Sequence, residues 1–206
     1  MFLFLIACSV DTTGLQAIGD SIFDWNDKQS IPHVVGDELG MSVVNNAIGG
    51  SNVIGDEGIP LQYEEGDWQW VLVDGGGNDL NEGCGCTDDE ICNDIINDIV
   101  VEDGSGGLIY DVVERATEDG HNVVLLGYYE VSVDSEFGNC HDELYVLRQR
   151  YTNLASLFET VIFVDPTEVV SPDMTEAYDD DLVHPSEEGG RIVGEFIAES
   201  IKRSAF

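Results

Sequence analysis

Four short segments hold the residues best suited to chemistry. Gly19-Asp20-Ser21 offers a hydroxyl next to a glycine turn, and Ile48-Gly49-Gly50-Ser51 offers backbone amides. Gly76-Gly77-Asn78-Asp79 offers a side-chain amide, and Asp181-Leu182-Val183-His184 sets a carboxylate three residues before an imidazole. A serine hydroxyl is a weak nucleophile and needs an adjacent base. Imidazole is suited to accept its proton, which makes His184 the candidate base for Ser21. Asp181 is the candidate to orient that ring and to stabilise its charged form, and the three-residue spacing prefers it to Asp179 and Asp180. Attack on a carbonyl places negative charge on oxygen, which needs fixed donors. The N–H groups of Ser21 and Gly50 and the amide of Asn78 are the candidates, with Gly49 the adjacent alternative to Gly50. Together these residue types support acyl transfer through a covalent serine intermediate.

Such residues must be held at the ends of rigid elements. Leu15–Ile18, Ser42–Asn45, Trp70–Val73, Asn122–Leu126 and Val161–Val164 read as strands. The apolar run at 122–126 predicts burial on both faces. Helical patterns lie between them. Ser30–Leu39 has a capping serine, a proline in its first turn and Gly40 to stop it. Thr87-Asp88-Asp89-Glu90 reads as a capping box opening a helix to about Val101. Further helices are expected over Gly107–Asp119, Glu143–Phe158 and Ser186–Arg203. Strand–helix alternation with apolar strands predicts an α/β fold on a parallel sheet, with one domain over residues 9–206. In such sheets ligands bind at the carboxyl ends of the strands, where the first three reactive segments fall and where the fourth must join them.

With that arrangement the residues resemble the SGNH, or GDSL, hydrolases. Gly19-Asp20-Ser21 is similar to their nucleophile block, and Asn46-Ala47-Ile48-Gly49-Gly50 to the block whose glycine donates to the oxyanion. Gly76-Gly77-Asn78-Asp79 matches the asparagine block and Asp181-Leu182-Val183-His184-Pro185 the final D-x-x-H block. The resemblance spans about Leu15 to Phe206, and the run Trp70–Asp79 is similar to the bacterial thioesterase, lysophospholipase and arylesterase branch. It implies a flavodoxin-like three-layer α/β/α fold with strand order 2-1-3-4-5 and no metal or organic cofactor. It also implies a serine esterase that cleaves carboxylic esters or thioesters of small or short-to-medium acyl groups. Carbohydrate O-acetyl removal on the same fold and a non-catalytic surface-anchored binding module are the alternatives. Ile22 replaces the family's leucine, and the cysteine-rich acidic stretch Glu82–Cys92 departs from the branch's simpler loops, so the substrate class is not inherited.

Composition narrows the partners. The 206 residues carry 7 basic and 42 acidic side chains, a net charge of −35. That charge opposes nucleic acid and anionic membrane surfaces. With 43% hydrophobic residues the chain is too apolar for a disordered acidic tail, so the acid belongs to the surface of a folded protein. A small-molecule ester and a monomeric state are expected. The glycine cluster at 75–77 lacks the lysine of a phosphate-binding loop, and no acidic run has EF-hand spacing. His33, His121 and His141 read as structural or exposed, Trp68 and Trp70 as packing residues and Asp79 as a loop support.

The apolar start ending in Leu5-Ile6-Ala7-Cys8 reads as a signal segment over residues 1–8 with a lipobox-like site. Cys8 is the lipidation candidate and would provide the chain's link to a membrane; a buried first strand is the other reading of this run. Export to the periplasm or medium follows from the signal reading. Cys84, Cys86, Cys92 and Cys140 then suggest two disulfides, and their C-x-C-x5-C spacing argues against zinc. Cys86–Cys92 with Cys84–Cys140 is the preferred of the three possible pairings.

Overall fold

The computed structural model describes residues 14–204, so the signal-like segment and Cys8 lie outside the described residues. Five strands form one sheet: β1 (Gly14–Ile18), β2 (Val43–Asn45), β3 (Trp68–Val73), β4 (Asn122–Leu126) and β5 (Val161–Val164). All neighbours are parallel and their order is β2-β1-β3-β4-β5. The chain therefore winds outward in one direction from β1 and in the other from β3. That reversal opens a crevice at the carboxyl ends of β1 and β3.

Among the described residues seven α-helices surround the sheet: α1 (Ser21–Asp24), α2 (Ile31–Leu39), α3 (Gly77–Cys84), α4 (Asp89–Ile99), α5 (Leu108–Glu118), α6 (His141–Ala155) and α7 (Glu187–Arg203). Side chains alternate across the sheet. Trp70, Leu72, Val124 and Leu126 pack with Ile31 and Val35 of α2 and with Val193 and Ile197 of α7. Val71, Val73, Val123 and Leu125 pack with Ile96 and Ile99 of α4, Val112 and Val113 of α5, and Leu147 and Tyr151 of α6. With both faces covered, β3 and β4 have no solvent side, which is why their sequences are apolar at consecutive positions.

Several local expectations need correction. Ser30 precedes α2, but its hydroxyl pairs with His33 Nδ1 at 2.8 Å and caps no backbone N–H. Gly40 does end α2 in the left-handed conformation. The cap of α4 is Asp88, which accepts from the N–H groups of Glu90 and Ile91, while Thr87 donates back to the carbonyl of Cys84. A carboxylate one residue later takes the place of the threonine, whose hydroxyl is turned back to the last residue of α3. Helix α3 is absent from the helices expected from the sequence.

The disulfides are Cys84–Cys92 and Cys86–Cys140, with Cα–Cα distances of 5.4 and 4.9 Å. This overturns the expected Cys86–Cys92 and Cys84–Cys140 pairing. Cys84 is the last residue of α3, and Gly85 and Cys86 both adopt positive φ, +59° and +51°. The chain thus turns sharply, leaving Cys84 against the first turns of α4 and pointing Cys86 at the N-cap of α6, where Cys140 sits.

Candidate active site

The turn after β1 is built to expose Ser21. Asp20 caps α1 through Oδ1, which accepts the N–H of Ile22 at 2.9 Å, and its own N–H donates to Asp74 Oδ1 at 2.9 Å. Ser21 is the first residue of α1, a position whose N–H has no helical acceptor. Gly19 is fixed by Gln62, whose side-chain oxygen accepts the Gly19 N–H at 2.7 Å and whose amide donates to the Gly19 carbonyl at 3.0 Å. A Cβ at Gly19 would lie 1.7 Å from Asp74 Oδ1, so only glycine lets the turn approach β3 this closely.

His184 comes from a loop tied to itself. Asp181 Oδ1 accepts the N–H groups of both Val183 and His184 at 2.9 Å, around a left-handed Leu182 (φ +61°). Asp181 Oδ2 pairs with His184 Nδ1 at 2.5 Å. Burial pushes the Asp181 carboxyl up, but the hydrogen bonds from the imidazole and the two backbone N–H groups outweigh it and hold the group below its ordinary range. The remaining ring nitrogen, Nε2, stands 2.8 Å from Ser21 Oγ. Ser21, His184 and Asp181, expected to act together, are joined in one hydrogen-bonded chain.

Three neighbours of this chain escaped sequence reasoning. Trp25 stacks flat on the His184 ring, with centroids 3.8 Å apart and planes 7° from parallel, and its Nε1 donates to Asp179 at 2.9 Å. Tyr129 donates its hydroxyl to the Val183 carbonyl at 2.7 Å and so holds the histidine loop to the end of β4. Tyr128 reaches Asp20 Oδ2 at 2.5 Å. The first was within sequence reach, because Trp25 lies one helical turn after Ser21. The tyrosines follow an apolar strand at its carboxyl end, where ligand-contacting residues are expected.

The candidate donors line the same cleft. Gly50 has φ +78°, a conformation glycine adopts without strain, and no side chain would touch a neighbour there. The Gly49 N–H is taken by Asp24 Oδ2 at 2.9 Å, which distinguishes it from Gly50. Asn78, on the first turn of α3, donates one amide hydrogen to the Ser51 carbonyl at 2.9 Å and has a second to offer. Asp79 accepts the N–H groups of Val53 and Ile54 at 2.8 and 2.9 Å, fixing the 46–62 loop against α3.

These groups border a cavity of about 380 Å³. Ile22, Val131, Phe137, Leu144 and Val183 make part of its wall apolar, and Glu82 and Glu136 stand in it as acidic members. Among the described residues no lysine or arginine lines it. Among the described residues no group of three or more His, Cys, Asp or Glu side chains is arranged to hold a metal ion. The other three histidines lie elsewhere: His33 pairs with Ser30, buried His121 with the Trp68 carbonyl, and His141 begins α6. Trp70 is buried in the core on one face of the sheet and Trp68 packs against the core on the other, as expected.

Comparison with known proteins agrees with this architecture. The profile of the GDSL-like Lipase/Acylhydrolase family matches residues 17–192. A search of curated proteins finds no match. Among solved structures, the chain is similar to an inhibitor-bound aryl esterase of M. smegmatis, at 15% identity and a TM-score of 0.67 over 93% of this chain and 99% of that one. It is similar also to Est24, a carbohydrate acetylesterase from Sinorhizobium meliloti, at 13% identity and a TM-score of 0.67 over 92% and 98%. A third is TesA, at 18% identity and a TM-score of 0.66 over 92% and 98%. At these identities the likeness is one of fold. The family profile covers most of the sequence, from β1 into the terminal helix, and the chain therefore belongs to the GDSL-like lipase/acylhydrolase family, as a carboxylic ester hydrolase of that class.

Proposed function

We propose that the protein is an exported serine esterase acting on short-to-medium acyl esters or thioesters through Ser21, His184 and Asp181. The observation that carries this reading is the hydrogen-bonded chain from Ser21 Oγ through both ring nitrogens of His184 to Asp181, opening on a partly apolar cavity. His184 Nε2 takes the hydroxyl proton as Ser21 Oγ bonds to the substrate carbonyl carbon. Asp181, accepting from Nδ1, keeps the ring in the tautomer whose Nε2 is free and stabilises the imidazolium that forms. The tetrahedral oxyanion is met by the N–H groups of Ser21 and Gly50 and the free amide hydrogen of Asn78. Collapse breaks the carbon–oxygen or carbon–sulfur bond, and the leaving group departs with the proton from Nε2. Water, deprotonated by the same nitrogen, then attacks the acyl-serine and releases the acid.

The apolar side chains beside the cleft suit an acyl chain, and a volume of about 380 Å³ suits one of modest length. The lining, which among the described residues holds Glu82 and Glu136 and no basic side chain, favours neutral esters over polyanionic ones, as does the net charge of −35. Two disulfides favour an oxidising compartment, in line with export. The test is a panel of p-nitrophenyl esters of increasing acyl length, with acyl thioesters and acetylated polysaccharide, run beside Ser21→Ala. Turnover of short and medium chains that Ser21→Ala abolishes is expected. Undiminished turnover by Ser21→Ala refutes the mechanism, and activity confined to carbohydrate acetyl groups replaces the substrate assignment.

A further inference from the structure

Two of the three proposed oxyanion donors, Ser21 and Asn78, follow the neighbouring strands β1 and β3, whose pairing ends at Ile18 and Val73. Ser21 lies after β1 on α1, while Asn78 lies after β3 on α3. Beyond that pairing the link to Asn78 passes through Gly75 and Gly76, at φ +149° and +103°, where side chains are disfavoured. A catalytic donor misplaced by a fraction of an ångström loses much of its effect. Something must therefore fix the distance between the two segments.

Two side chains span them: Asp74, which accepts the Asp20 N–H at 2.9 Å, and Tyr128, which reaches both segments from just after β4. The Tyr128 hydroxyl donates to Asp20 Oδ2 at 2.5 Å and accepts the N–H of Gly77 at 3.0 Å. Asp20 is the residue before Ser21, and Gly77 the residue before Asn78. The bridge is thus placed one peptide away from each donor. It is stiff at both ends. Asp20 is buried and already holds the Ile22 N–H on its other oxygen, and the ring of Tyr128 rests against Gly77, where a Cβ would come within 3.0 Å of Tyr128 Cζ. The backbone of Tyr128 is anchored in turn, its carbonyl accepting from Arg148 Nη1 at 3.2 Å. Burial and the neighbouring Asp20 and Asp74 carboxyls push the Tyr128 hydroxyl well above its ordinary range, so it stays protonated and keeps its donor.

We propose that Tyr128 is a positioning residue that sets the spacing of the oxyanion hole, acting on Ser21 through the Asp20 carboxylate and on Asn78 through the Gly77 N–H. The inference rests on the proposed serine mechanism and adds a residue that lines the cavity but whose hydroxyl bonds to Asp20 and Gly77, not to a triad side chain. Tyr128→Phe keeps the ring and removes only the bridge. A short p-nitrophenyl ester should show kcat lowered about tenfold with KM changed less than about twofold, because the ground-state carbonyl leans little on the donors. The same variant made in an Asn78→Ala background should lose much less, since one donor that Tyr128 places is already gone.

Gly77→Ala provides a second probe, because its methyl displaces the tyrosine ring without touching the hydroxyl's chemistry. It should also lower kcat more than it raises KM. Three results would overturn the proposal: kcat within twofold of the parent in both folded variants, a rise in KM that accounts for the whole loss, or full multiplication of the Tyr128→Phe and Asn78→Ala effects. The Ser21→Ala control separates the two readings. A dead Ser21→Ala beside a normal Tyr128→Phe sinks only the role of Tyr128, whereas an active Ser21→Ala sinks the serine mechanism itself.

Discussion

Removing the Cys86–Cys140 bridge should destabilise the protein more than removing Cys84–Cys92, and by a calculable margin. A disulfide acts largely by restricting the unfolded chain, and the restriction grows with the logarithm of the loop it closes. The sequence separations are 54 and 8 residues. Chain entropy then gives about 4 kcal/mol for the long loop and about 2.5 kcal/mol for the short one at 25 °C. An unfolding entropy of about 2.1 cal/mol/K per residue over 206 residues converts these to roughly 10 °C and 6 °C in melting temperature. Alanine is the replacement of choice, because Cys92 and Cys140 are buried and a serine would add an unsatisfied hydroxyl. The assay is calorimetry on single and double variants, with free thiols titrated in each. Cys86→Ala, Cys140→Ala and their double should melt together, since each opens the same bridge, and Cys84→Ala and Cys92→Ala should pair likewise. Cys84→Ala with Cys140→Ala should sum, because that combination opens both. The reasoning fails if those two do not add while Cys84→Ala and Cys92→Ala do, for that is the signature of the other pairing.

Three further outcomes can be checked. Asp74 is buried, and burial together with neighbouring Asp20 pushes its carboxyl well above the ordinary value of 3.8. The folded state then keeps a proton that the unfolded chain releases, so the group lowers stability as pH rises above 3.8 and is neutral below it. Asp74→Asn should therefore raise the melting temperature near neutral pH, and a gain that persists undiminished below pH 3.8 would contradict the argument. Asp181→Asn should lower kcat on the order of a thousandfold or more with the fold intact, because an amide no longer selects the required tautomer of His184; a loss below about tenfold in steady-state kinetics would dismiss that role. Sodium chloride should raise the melting temperature by screening repulsion within a net charge of −35, and a steady fall on titration would show that repulsion is not the dominant surface term.

The sheet was legible because its signal is local. Asn122–Leu126 and Val161–Val164 have the predicted bounds, and both are short apolar runs whose burial on two faces leaves no other reading. The candidate site residues could be named because each stands in a compact motif, three of these just after a strand and the fourth, holding Asp181 and His184, in the loop before the terminal helix. What stayed hidden depends on partners far away in the chain. Gln62 acts on Gly19 across 43 residues, Tyr128 on Asp20 across 108 and Tyr129 on Val183 across 54. Helix α3 was hidden for a different reason. Its sequence, Gly-Asn-Asp-Leu-Asn-Glu-Gly-Cys, is poor in helix formers, and its stability comes from burial of Leu80, the Asp79 contacts and the disulfide at its end. The cysteine pairing could not be read because it turns on the positive φ of Gly85 and Cys86, which reverses the chain between two neighbouring sulfurs.

The stack of Trp25 on His184 also makes the site optically visible. An indole emits strongly beside neutral imidazole and is quenched by imidazolium, which accepts charge from its excited state. The protein has three tryptophans, and the other two, Trp68 and Trp70, begin β3 at the end remote from the cleft. Replacing those two with phenylalanine would leave one emitter, 3.8 Å from the ring whose proton matters. Its brightness against pH then reports the charge of His184 with no substrate present, in a readout independent of turnover.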